Sequence, residues 1–376
     1  MNISFSLEQF LKDLEYLVNI DSQSRDTEGV AAVASFFEKA FADIGWKVEK
    51  KDLGPAVGPS LKITNGKAPY DSLLLGHLDT VFPKGTVAER PFSRDEHRAY
   101  GPGVNDMKGG LLFGLYAARA LTEAGAPGSF CFVYNSEEEI GSRRARPWIE
   151  ELARESRTAV ILEPARPNGN LMNERKGLGR IDVTFHGKAA HAGVEPEKGV
   201  SAVNEMAHWI IGLHGLTDFG KGTTLNAGVV SGGTTPNVVP EKASMTVDVR
   251  IKIPEEKNRI DAKIAELKAH PATAGINVEA DFFLTRPPMN PSPKTMKLCA
   301  LVEEAGREAG VEVRWQGTGG GSDGNFTAAL DVPTVDGLGP VGGGSHAVTE
   351  YVEIGEISSR FALLLGILER IPNAVF

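Results

Sequence analysis

Five short segments of the chain hold side chains that could bind a metal ion or move a proton. In the first, an apolar run ending at Leu75-Gly76 leads into His77 and Asp79. That places an imidazole and a carboxylate at the carboxyl end of a candidate strand, where α/β sheets bind their ligands. The second, Tyr100 to Gly110, sets Asp106 where a glycine-rich turn enters a helix. The third follows another apolar run and carries Glu137, Glu138 and Glu139 in a row. Three adjacent carboxylates must be solvated, neutralised or bound to cations. The fourth ends the run Ala159 to Leu162 with Glu163-Pro164, and the fifth puts His346 behind Gly342-Gly343-Gly344-Ser345.

Taken one at a time, each has an ordinary explanation. Asp79 suits a turn, Asp106 a helix N-cap, and the glutamate triplet a solvated helix start that favours the dipole. Glu163 can be a strand end and His346 a loop residue. Five independent accidents do not account for the set. His77, Asp106, Glu139, Glu163 and His346 supply two imidazoles and three carboxylates. This mixture suits zinc, cobalt or manganese rather than calcium or a thiolate-selective metal. Five ligands exceed the needs of one open catalytic site. Two sites sharing a bridging Asp, with one His and one Glu on each side, use all five and leave room for water.

The elements that must position these residues follow from apolar spacing. Helices are predicted over Leu7–Ile20, Thr27–Ile44 and Met107–Ala124, and strands over Ser72–Leu75, Ser129–Tyr134 and Thr158–Leu162. Their alternation predicts an α/β layer with parallel strands. The middle of the chain differs. Strands at 180–186, 223–230, 243–253 and 278–284, with helices at 199–216 and 255–270, give the β-α-β-β-α-β order of a split βαβ, ferredoxin-like unit. The α/β pattern resumes near Pro293. The predicted organisation is a discontinuous main domain, residues 1–178 and 287–376, interrupted by an inserted domain, residues 179–286. A chain of 376 residues exceeds what one core usually serves.

Composition removes several classes of function. With 40 Lys+Arg against 49 Asp+Glu, the net charge of −9 gives no global attraction to nucleic acid. Cys131 and Cys299 lie far apart, so neither a disulfide framework nor a cysteine-rich zinc site is expected. Glu8, Lys12, Asp13 and Glu15 interrupt the N-terminal twenty residues, which therefore lack the basic start and apolar core of a secretory signal. No run approaches the roughly 18 apolar residues of a membrane span, so a cytoplasmic protein without a membrane partner is expected. Gly317 to Gly324 is glycine-rich but lacks the Gly-Lys-Ser/Thr ending of a phosphate loop. His97, His186, His208, His214 and His270 have no motif around them and are read as structural or surface residues.

The ordered set GHLDTVFPKG, YGPGVNDMKGG, EEEIGS, LEP, GKAAHAG and a late GSH resembles the M20 family of dinuclear zinc metallopeptidases over nearly the whole chain, nearest to its glutamate carboxypeptidase branch. The resemblance implies a zinc-exopeptidase-like catalytic domain with a mixed, mostly parallel sheet, plus an inserted ferredoxin-like α+β dimerisation or lid domain. It implies two divalent ions per subunit, zinc by default. His77 and Glu163 would hold one ion, Glu139 and His346 the other, and Asp106 would bridge them. Asp79 would fix the tautomer of His77, and Glu138 would be the general base. Glu137 stands where the family often has Asp, so the register is counted back from Gly141. The family's cis bond after the bridging Asp falls at Asp106–Met107. His191 would reach the active site of a second subunit as an oxyanion-stabilising donor, implying a homodimer paired through the inserted domain. Asn237 and Arg250 resemble substrate-contacting positions, the glycine-rich loop with Gly320 and Gly321 would lie beside the bound substrate, and Arg286 is a further candidate for a substrate carboxylate. The implied reaction is hydrolysis of an amide in an N-acyl amino acid or short peptide, releasing a C-terminal glutamate-type amino acid. A deacylase of the acetylornithine or succinyl-diaminopimelate type, and a catalytically inactive relative that binds metal or peptide, are the alternatives.

Overall fold

Two strands with apolar residues on both faces, Ser72–His77 and Phe130–Asn135, are buried along their whole length. Side chains alternate across a strand. Leu74, Phe132 and Tyr134 accordingly enter one core, while Leu73, Leu75, Cys131 and Val133 enter another. A sheet of this kind must be covered on both sides. Helices Leu7–Val18, Thr27–Asp43, Gly109–Glu123 and Ile357–Arg370 cover the first face with Phe10, Phe37, Leu111 and Leu364. Helix Arg146–Arg154 covers the second with Trp148 and Ile149, joined by Phe326.

A computed structural model of the chain describes residues 5–376, so the first four residues of the N-terminal segment discussed above lie outside it. The described chain divides into two compact units. The first runs up to Glu174 and continues through Met289–Thr318 and Ser322–Phe376. Its main sheet has the order Lys47–Lys51, Ser60–Thr64, Phe130–Asn135, Ser72–His77, Ala159–Ile161, Thr334–Val335. The first two pairings are antiparallel and the other three parallel, giving a mixed, mostly parallel sheet.

Three details differ from the sequence reading. Lys47–Lys51 and Ser60–Thr64 were not anticipated, because the first is a polar, solvent-facing strand without an apolar stripe. The central strand runs two residues past Leu75, so His77 is its last residue and shares its rigidity. The helix expected from Met107 begins at Gly109, because Asp106 (φ −116°, ψ 91°) and Met107 (φ −136°, ψ 37°) are not helical. The Asp106–Met107 peptide bond is cis.

The second unit comprises Arg175–Pro288 and Gly319–Gly321. Its four strands have the order Thr224–Gly232, Lys242–Ile251, Gly177–His186, Asn277–Arg286, all antiparallel. Helices Ala202–His214 and Glu256–Ala269 complete the β-α-β-β-α-β order of a ferredoxin-like unit. Its separate core includes Ile181, Val183, Phe185, Trp209, Val247 and Ile260. No helix among the described residues is long and apolar enough to cross a membrane.

Candidate metal centre

The strand Ser72–His77 delivers His77 to its carboxyl end with 2 % of its surface exposed. Its Nδ1 lies 2.9 Å from the backbone carbonyl of Asp79 and 3.5 Å from that residue's carboxylate. An N–H at Nδ1 donates to the carbonyl, which leaves the Nε2 lone pair free to ligate a cation. Nε2 sits 3.1 Å from Asp106 Oδ1 and 3.5 Å from Glu163 Oε1. On the other side, His346 Nε2 is 3.4 Å from Asp106 Oδ2 and 3.1 Å from Glu139 Oε2. The two oxygens of Asp106 therefore face two different His/Glu pairs. His346 holds a left-handed backbone (φ 66°), a conformation that non-glycine residues keep where the surroundings demand it.

The site fits divalent cations. Ligand atoms of His77, Asp106 and Glu139, and separately of His77, Glu138 and Glu163, lie within 4.8 Å of one another. Glu139 Oε1 is buried with no hydrogen-bond partner, a costly arrangement that a cation relieves. The titration behaviour has the sign of a ligand set that exchanges protons for metal. Burial, reinforced by the charge on Asp106, pushes Glu139 and Glu163 up to about 7. Hydrogen bonds to Asp106 and Glu139 push His346 up to about 10. Burial alone would lower His77, but its bonds to Asp106, Asp79 and Glu163 outweigh that and raise it. Burial alone would raise Asp106, but His346 and His77 hold it below the usual carboxylate range.

Neighbouring groups fix this geometry. The buried Asp79 carboxylate accepts from Ser24 Oγ at 2.6 Å and from the backbone N–H of Glu138 and Glu139 at 3.2 Å each. It thus anchors the turn that carries the glutamates as well as the histidine. The triplet divides its labour. Glu137 is 1 % exposed and turns inward, accepting from the Ala145 N–H at 2.9 Å and from Arg144 Nη1 at 3.0 Å. The solvated start suggested by three adjacent acids therefore does not hold for Glu137.

Glu350 and Lys108 escaped the sequence reading. Glu350 is fully buried and accepts from the N–H groups of Gly103, Asn105 and Asp106 at 2.8, 2.9 and 2.8 Å. Burial pushes its carboxyl up to about 7. Lys108 is buried, donates to the Ile20 carbonyl at 2.7 Å, and is pulled down by burial to about 7. An acid just before the short strand Tyr351–Glu353 was the only available signal, and backbone partners leave no motif.

In the second unit, His191 is exposed and its Nδ1 accepts from the Gly193 N–H at 3.2 Å. Asn237 lies beside it, its carbonyl accepting from the Ala192 N–H at 2.9 Å. Arg250 is engaged by both oxygens of Asp248, and its Nη1 donates to the Gly319 carbonyl at 3.1 Å. Arg175, also missed, reaches the Gly320 and Gly321 carbonyls at 3.3 and 3.4 Å. Arg286 is 3 % exposed and packs on Gly321, where a Cβ would lie 2.7 Å from Arg286 Cδ. The unit thus sets His191 beside Asn237, Arg250 against Gly319, and Arg286 against Gly321.

The sequence matches the group described as peptidase family M20/M25/M40 over residues 73–370. It is 32 % identical to carboxypeptidase G2 of Pseudomonas sp. (strain RS-16) over 361 residues, covering 93 % of this chain and 86 % of that protein. It is 30 % identical to acetylornithine deacetylase of Salmonella arizonae over 228 residues, 56 % of this chain and 58 % of that one. The structure of aminopeptidase PepT from Bacillus cereus ATCC 10987 superposes with a TM-score of 0.81 at 25 % identity, covering 98 % of this chain and 99 % of the other.

Proposed function

From the premise that the chain belongs to peptidase family M20/M25/M40 and is a metal-dependent hydrolase of that family, we propose that it cleaves the amide bond of an N-acyl amino acid or short peptide to release a C-terminal, glutamate-type amino acid. The observation that carries this reading is the placement of two His/Glu pairs on the two oxygens of Asp106. His77 and Glu163 would hold one divalent ion, Glu139 and His346 the other, and Asp106 both. Zinc suits these donors best. Ions bound there supply the acidification of a water molecule and the polarisation of an amide carbonyl.

The chain's own groups do the rest. Glu138 takes the proton of the attacking water and returns it to the leaving amine. Asp79 keeps the His77 tautomer and ties down the backbone of Glu138. His191 of a second protomer donates to the developing oxyanion. Arg250 and Arg286, with Gly320 and Gly321, recognise the free carboxylate, for which a guanidinium offers bidentate geometry. The second unit serves as lid and dimerisation domain. Its edge strand Thr224–Gly232 leaves Val229 and Val230 65 % and 52 % exposed, and Ile211 on the helix Ala202–His214 is 72 % exposed. Such apolar surface marks an association face. Sedimentation should therefore show a dimer, and a fully active monomer at nanomolar concentration would remove the trans role of His191.

The similarity to carboxypeptidase G2 supports the glutamate reading. The similarity to acetylornithine deacetylase supports a second one, removal of a small acyl group from a basic amino acid. One experiment separates them. Metal content is measured on the purified protein, and hydrolysis of N-acylglutamates and N-acetylornithine is followed before and after chelation. The expected result is about two metals per chain and chelator-sensitive cleavage of the N-acylglutamate. Glu138→Gln should keep the metals and lower kcat by about a thousandfold. Preference for N-acetylornithine selects the deacylase, and metal-free, chelator-insensitive activity overturns the proposal.

A further inference from the structure

A groove of about 910 Å³ opens in the first unit and includes none of the metal-binding residues. Its wall contains Arg360, on the helix Ile357–Arg370, which is 5 % exposed. Arg360 Nη2 donates to the Gly169 carbonyl. Nε and Nη1 are buried and have no hydrogen-bond partner. No carboxylate pairs with this guanidinium among the described residues, and burial pulls it down from its ordinary value. Two unsatisfied N–H groups on a desolvated cation are costly. A water molecule satisfies the N–H groups without compensating the charge, whereas a carboxylate does both.

The acids around the groove narrow the choice of ligand. Glu353 is paired with Arg98 at 2.8 Å, and Glu312 with Arg314 at 2.7 Å. Glu96 and Glu356 are exposed and have no ion pair among the described residues. Glu356 lies one helical turn before Arg360 and is the charge that acts on it. A simple anion would be drawn to Arg360 and repelled by these two glutamates. A zwitterion matches both.

We propose that this groove is a binding site for a free α-amino acid or short peptide, with the ligand's carboxylate on Arg360 and its ammonium toward Glu356 and Glu96. The inference does not depend on which amide the metal site hydrolyses. Calorimetric titration of the metal-loaded protein tests it with four probes: alanine, glycyl-D-alanine, propionate (no ammonium) and ethylamine (no carboxylate). Alanine or the dipeptide should bind about fivefold tighter than propionate, and ethylamine weakest. Tighter binding of alanine identifies a free amino acid as occupant, and tighter binding of the dipeptide a short peptide. Arg360→Met should weaken the zwitterion by about tenfold or more. Glu356→Gln, a surface change that leaves the fold intact, should weaken it by about threefold and leave propionate unchanged. Zwitterion binding that both variants leave intact, or no binding at about 10 mM, overturns the proposal.

Discussion

Asp106 is held from behind by one carboxylate. Glu350 accepts from three backbone N–H groups at or near it, those of Gly103, Asn105 and Asp106. In Glu350→Gln the amide keeps one acceptor and turns an N–H₂ group toward donors it cannot satisfy. The change should destabilise the protein by about 2–3 kcal/mol in urea unfolding. Metal content and kcat should fall together while KM stays near its original value, since substrate contacts are untouched. The acids and histidines that the structure brings together around Asp106 were legible because few side chains ligate metals, and their types and order narrowed the choice. Glu350 was not, because its partners are amides 244 to 247 residues away that any residue could supply. Arg175 hid for the same reason, since it binds carbonyls.

At the level of elements, close packing of the helix Gly109–Glu123 governs where Glu163 lies. A Cβ on Gly110 would stand 2.0 Å from the carbonyl oxygen of Leu162, the residue before that ligand. Gly110→Ala must push helix and strand apart and should cost about 1–3 kcal/mol, read as a lowered Tm with weaker metal retention. Gly355→Ala, where a Cβ meets nothing within 4 Å, is the control and should change neither. The buried strands were legible because apolar residues on both faces leave little else for them to be. The inserted unit was legible from its alternation, as in Ile181, Val183 and Phe185, all facing one core. Lys47–Lys51 was not, because an exposed edge strand is defined by its neighbour's hydrogen bonds and not by its own side chains.

For the whole molecule, metal and stability are coupled through pH. Glu139 and Glu163 have folded values raised to about 7, above their ordinary 4.5. In the metal-stripped protein their contribution to stability is complete below pH 4.5 and is lost as pH rises through about 7. The raised histidines lose theirs at still higher pH. Asp106 has the opposite sign: its contribution is present at neutral pH and is lost only as the pH falls into acid. A metal held by all five proposed ligands would need them deprotonated, so its affinity should rise over the same range. The Tm difference between metal-loaded and metal-stripped protein should widen by about 5 °C or more from pH 5 to pH 8, as calorimetry can show. A constant difference would mean that these groups do not bind the metal.

The first unit is written in pieces, with the second placed between them. Its strand Thr334–Val335 pairs with Ala159–Ile161, and His346 and Glu350 meet Asp106 across more than two hundred residues. On the ribosome, His77, Glu139 and Glu163 emerge early, and the inserted unit has all of its residues, Gly319–Gly321 included, before the site has its second histidine. If His346 holds the second ion as proposed, capture of the full metal complement is therefore a late event of biosynthesis. Until then the nascent chain holds a cluster of acids without the partners that complete it.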